Sequence, residues 1–66
     1  MQIIVNGEAR ALPDGQTLTE LVDALELSGR RIAIERNGEI VPRSRYDGIV
    51  LDDGDELLIV HAIGGG

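Results

Sequence analysis

The sequence predicts an α+β roll, in which one main helix packs across one face of a mixed sheet of four to five strands. Three observations predict it. Asn6-Gly7 and Asn37-Gly38 each stand between short apolar runs, the strongest two-residue hairpin signal. Leu18, Leu21, Val22 and Leu25 recur at helical spacing. The most apolar stretch, "ELLIVHAI", comes last and is apolar on both faces, as a central strand is.

Taken in order, "MQIIVNGEARAL" forms a hairpin around Asn6-Gly7, whose residues tolerate the positive φ of a type I′ turn. That turn pairs Val5 with Glu8, Ile3 with Arg10 and Met1 with Leu12. Met1, Ile3, Val5 and Leu12 then share a face. Arg10 interrupts it and belongs at a sheet edge, stem packed and charge in water. "PDG" turns the chain. Thr17 and Glu20 have capping-box spacing and start the helix. Ser28-Gly29 ends it, with Gly29 suited to a left-handed cap.

"RIAIERNGEIVPR" is the second hairpin, with Ile34 opposite Val41 and Glu35 opposite Ile40. Ile32, Ile34 and Val41 face the core; Glu35 and Ile40 turn outward. Pro42 ends the pairing because it has no N–H. "RSRYDG" is a loop or short turn, "IVL" a short strand, and "DDGD" a tight, solvated turn. In the last strand Leu57 and Ile59 share one face, and Leu58 and Val60 the other. One helix covers one face of the sheet, so the other stays open.

Composition excludes several functions. At 66 residues the chain is a single domain, residues 1–66, near the lower size limit for independent folding. It has no cysteine, hence no disulfide or thiolate metal site, and His61 alone makes no metal site. The net charge of −6 and the lack of a basic stripe disfavour nucleic acid and point toward basic patches on protein partners. No apolar run is long enough to cross a membrane, and the N-terminus has no signal-peptide pattern, so a cytoplasmic protein is expected. All six basic residues are arginines; there is no lysine. Arg30, Arg31, Arg43 and Arg45 are interspersed with acids and are candidates for contact with an acidic partner. The carboxylates of "DDGDE" lack the spacing of a calcium loop. No nucleophile–base pair, catalytic carboxylate pair or phosphate loop is present, so no catalytic residue is expected.

Two features remain. The sequence ends in Gly64, Gly65 and Gly66. Alone, such a tail reads as a frayed terminus. Coupled to the fold order, it reads as a flexible segment, 63–66, whose terminal carboxylate is the working group. Glycine lets two backbones approach closely enough to thread a narrow channel. Residues 62–66 span about 17 Å when extended. Beside it, Ile40, Leu58 and Val60 converge on the open face as a docking patch, unless the "RSRYDG" loop with Tyr46 folds over them.

The element order, with "NGEIVPR" followed by an aromatic and the "DGDELLIVHAIGGG" ending, resembles the sulfur-carrier proteins of thiamine thiazole biosynthesis, the ThiS family. The resemblance covers nearly the whole chain and implies a ubiquitin-like β-grasp fold. It implies that a ubiquitin-activating-like enzyme adenylates the Gly66 carboxylate with ATP, while the carrier binds no cofactor. It implies that Ile63, Gly64 and Gly65 thread into the partner's active site. A sulfurtransferase or cysteine desulfurase relay then supplies persulfide sulfur to form a thiocarboxylate, which a thiazole synthase consumes. The alternatives are a sulfur carrier for molybdopterin synthesis, whose members are usually longer, a ubiquitin-like protein modifier, and a passive interaction module.

Overall fold

The computed structural model describes residues 1–62. Among them, β1 (Gln2–Val5) and β2 (Glu8–Ala11) form the first hairpin, α1 (Leu18–Ala24) follows, and β3 (Ile32–Arg36) and β4 (Glu39–Val41) form the second. A 3-10 helix over Arg43–Gly48 leads to β5 (Glu56–His61). The strand order is β2-β1-β5-β3-β4, with β5 parallel to β1 and antiparallel to β3.

The hairpins have the expected register: Val5 faces Glu8, Ile3 faces Arg10, Ile34 faces Val41 and Glu35 faces Ile40. The Leu12 N–H donates to Met1 O at 2.8 Å, extending the first ladder by one step. Asn6 and Asn37 both sit at φ 51°, with Gly7 at 82° and Gly38 at 86°. Both central residues of each turn therefore have positive φ, the type I′ requirement. Arg10 is exposed on the edge strand β2.

Thr17 caps α1 and forms the reciprocal capping box with Glu20. Its inward face, Leu18, Leu21 and Val22, joins Ile3, Val5, Ile32, Ile34, Val41, Leu51, Leu57 and Ile59 in one core. The helix stops earlier than its sequence suggests. Leu25 is the C-cap and Glu26 takes the left-handed conformation at φ 60°. The Leu27 N–H donates to Val22 O and the Glu26 N–H to Asp23 O, both at 2.9 Å, a Schellman closure without glycine. Its energetic support is apolar: Leu27 packs back against the core. Gly29 is also left-handed, at φ 78°, but in the turn that follows.

Two further expectations change. "IVL" forms no strand; Val50 makes a single bridge to Thr17, while Leu51 is buried. "RSRYDG" is a 3-10 helix packed on α1, and Tyr46 is a buried core residue.

The "DDGD" turn is also more than a solvated loop. Asp55 is buried. Its Oδ2 accepts from Arg36 Nε and the Asp52 N–H, both at 2.9 Å, and its Oδ1 accepts from Asn37 Nδ2 at 3.0 Å. Arg36 also donates to Asp52 Oδ2 at 3.0 Å. Burial raises the Asp55 pKa, but the Asp52 N–H, Asn37 and Arg36 together outweigh it and hold the carboxyl below its ordinary value of 3.8.

Both hairpin asparagines reach β5. The Asn6 N–H donates to Leu57 O at 2.9 Å, and its carboxamide then acts as the next rung. Asn6 Oδ1 accepts from the Ile59 N–H at 2.7 Å, and Nδ2 donates to Ile59 O at 3.1 Å. On the other edge, the Asn37 N–H donates to Glu56 O at 2.8 Å and its Oδ1 accepts from the Glu56 N–H at 2.9 Å.

Two outcomes are expected. Asn6→Gly keeps a turn-compatible residue but removes two hydrogen bonds, so chemical denaturation will show a loss of about 1–3 kcal/mol; an unchanged stability would reduce Asn6 to a turn former. Asp55→Asn will cost about 2–4 kcal/mol at neutral pH. Because the folded-state pKa is lowered, the unfolded chain protonates first on acidification. The Asp55 contribution is therefore complete well above 3.8 and lost as pH falls through the lower folded value. The melting temperature of the variant will accordingly fall less between pH 5 and pH 3 than that of the parent, in buffers chosen at about those values.

Candidate functional site

The candidate site is the open face of the sheet together with the end of β5. Burial alternates along β5: Leu57 and Ile59 are buried, whereas Leu58 and Val60 are each 46% exposed. The period-2 geometry of a strand dictates this split, because only one face meets α1.

Register places the other side chains of the open face. Val60 lies opposite Ala33, and Leu58 opposite Glu35. Glu35 in turn faces Ile40, which is 75% exposed. Leu58, Glu35 and Ile40 thus form one row across β5, β3 and β4. Ile40 is two strands, about 10 Å, from Leu58. The patch is therefore continuous through Leu58, Val60 and Ala33, and Ile40 stands beyond Glu35. Ile4, half-buried on β1, adds to the β5 side of the patch.

Sequence reasoning passed over Ile4 and Ala33. The signal was available for Ile4: "IIV" is apolar on consecutive residues, as "LLIV" is, and such a run must put an apolar group on each face. The 3-10 segment does not cover the patch. Tyr46 lies on the helix side of the sheet, near Val22 and Leu27. The remaining strongly exposed hydrophobic residue, Val50, is beside the helix N-cap rather than on this face.

β5 remains in register with β3 to its end, with His61 opposite Ile32. The Ala62 N–H still donates to Arg31 O at 2.9 Å. Ile63, Gly64, Gly65 and Gly66, the expected threading and attachment residues, lie outside the described residues. His61 is exposed. Arg43 donates from Nη2 to Arg30 O, and Arg30, Arg43 and Arg45 are exposed.

Among the described residues, no three His, Cys, Asp or Glu side chains are grouped to hold a metal ion. Also among them, no helix is long and apolar enough to cross a membrane. The arrangement offers an exposed apolar surface and a central strand hydrogen-bonded along both edges.

The sequence model of the ThiS family matches residues 3–66. "Sulfur carrier protein ThiS" of Escherichia coli is 36% identical over 66 residues, the whole of both chains. A "Thiazole synthase" of Paramagnetospirillum magneticum is 44% identical over 66 residues, all of this chain and 20% of that protein. A second, from Magnetococcus marinus, is 39% identical with the same coverage, so the chain spans about a fifth of the length of these relatives. Among solved structures, the thiamine biosynthesis protein (ThiS) from Geobacter metallireducens matches at a TM-score of 0.87 and 30% identity, over all of both chains. Matched from residue 3 to residue 66, this chain belongs to the ThiS family, and its mixed five-stranded sheet with one main helix is the ubiquitin-like β-grasp.

Proposed function

We propose that this chain is a sulfur carrier of thiamine biosynthesis, acted on by partner enzymes and itself without catalytic residues. The observation that carries the reading is the full-length match to a sulfur carrier protein, with a family match that extends through the terminal glycines. The central strand that leads to those glycines supports it. A carrier must start its reactive tail at a fixed offset from its docking surface, and β5 supplies Leu58 and Val60 of that surface and ends just before the tail.

The chemistry follows from the carboxylate. An ionised carboxylate is a poor electrophile at neutral pH. In the proposed sequence the Gly66 carboxylate oxygen attacks the α-phosphorus of ATP on the activating enzyme and releases pyrophosphate. The terminal sulfur of a persulfide, supplied by a sulfurtransferase or cysteine desulfurase relay, then attacks the carbonyl and AMP leaves. A thiol attacks the resulting S–S bond, giving the Gly66 thiocarboxylate and a disulfide. Ile63, Gly64 and Gly65 thread the channel and Gly66 carries the sulfur. The absence of cysteine and lysine leaves the chain no thiol or ε-amine to intercept its own activated end.

A thiazole synthase is the proposed acceptor. Two relatives of that name contain a stretch matching this whole chain as a fifth of their length, which supports a working association between the two. A cytoplasmic site of action is proposed with it.

The test is the intact mass after incubation with ATP, a sulfur donor and the activating enzyme. A gain equal to one oxygen replaced by sulfur, mapped to the C-terminal peptide, is the expected result. Deletion of Gly66, or Gly65→Ala, will abolish the gain and leave the melting temperature unchanged. A native protein of unchanged mass, with an enzyme active on another carrier, would overturn the reading. In a separate measurement, Leu58→Asp or Val60→Asp will weaken binding to the activating enzyme on the order of tenfold or more while the fold persists. Unfolding of either variant would contradict the assignment of the open face.

A further inference from the structure

The strands sort their charges by face. Residues on the helix side, identified by register with the buried set, include Glu8, Arg10, Arg36 and Glu39. The outward positions include just two charged residues, Glu35 on β3 and Glu56 on β5. Among the described residues, the two strand arginines, Arg10 and Arg36, are both on the helix side. Among the described residues neither of these carboxylates takes part in an ion pair.

Their positions matter more than their number. Glu35 stands between Leu58 and Ile40 in the row described above. Glu56 precedes Leu58 by two residues on the same face. A partner that covers Leu58 and Val60 must therefore also take the Glu35 carboxylate out of water. A buried charge without a counter-charge is costly, so a purely apolar or acidic partner surface is rejected.

We infer that the open face selects a partner surface with an apolar centre flanked by cationic side chains, arginine or lysine, placed opposite Glu35 and Glu56. This rests on the carrier reading, and the occupant is the docking surface of the activating enzyme. Leu58 and Val60 supply apolar contact area, and Glu35 and Glu56 set orientation and discriminate between partners. Neither glutamate is needed for folding, since neither side chain is buried in the core.

The test is binding of the full chain to the activating enzyme by calorimetry at two ionic strengths. Glu35→Gln, close in shape and neutral, is expected to weaken binding on the order of tenfold, and Glu35→Arg on the order of a hundredfold or more. The double variant Glu35→Gln, Glu56→Gln is expected to flatten the salt dependence. Glu8→Arg makes the same charge change as Glu35→Arg on the helix side and is expected to bind as the parent does, which separates local pairing from net charge. Melting temperatures establish that each variant is folded. Parent-like affinity of both Glu35 variants would overturn this inference alone, with the carrier reading intact. Absence of binding by the parent chain would overturn both.

Discussion

The central strand β5 is hydrogen-bonded along both edges, and the rest of the molecule is arranged to keep it there. β1 runs parallel on one side and β3 antiparallel on the other. Each neighbour ends in an Asn-Gly turn, and each asparagine uses its side chain as well as its backbone to hold β5. At the start of the strand, Asp55 is fixed by Arg36, Asn37 and the Asp52 N–H. A domain of this size buries little surface, so an error in the placement of one strand would cost a large share of its stability. Polar side chains that accept only one register supply the specificity that apolar packing alone does not.

The single helix sets the second constraint. α1 covers the face bearing Ile3, Ile34, Leu57 and Ile59, and the 3-10 segment packs beside it with Tyr46 inward. Both connecting elements lie on one side. The opposite face of the sheet is left with Leu58, Val60, Ala33 and Ile40, and with Glu35 and Glu56 as its charges. An exposed apolar sheet face is a liability unless a partner uses it. Here it lies on the strand that leads to the C-terminal glycines. In a carrier, which the family membership supports, the docking surface would thus lie on the strand that precedes the reactive end in sequence.

Much of this was legible in the residues. The two Asn-Gly pairs gave both hairpin registers without error, because a two-residue loop permits one pairing and the alternation of Ile3 and Val5, or Ile32 and Ile34, agrees with it. Thr17 and Glu20 gave the helix start. The doubly apolar run at 57–60 gave the central strand. The open face, with Leu58 and Val60 on it, follows from that run and the presence of one helix. The helix end departs from the expectation because glycine is the usual left-handed cap, whereas here Leu27 anchors the closure and Glu26 accepts the strained conformation. "IVL" looked like a strand because it is apolar and β-branched, yet it meets one bridge partner rather than a ladder.

What the sequence determined by itself was most of what local geometry governs: the hairpin turns, periodicity, the helix N-cap, and the side of a strand on which each residue falls. Those depend on neighbours a few positions apart. Only the tertiary structure decided where polar side chains distant in sequence find partners. Asn6 meets Ile59, and Arg36 meets Asp55, through strand order. Strand order likewise buried one aspartate of a loop, Asp55, against Arg36 and Asn37, and set Glu35 between Leu58 and Ile40. Hydrogen bonds and desolvation act over a few ångströms, and which residues come that close is fixed by the packing of the whole sheet.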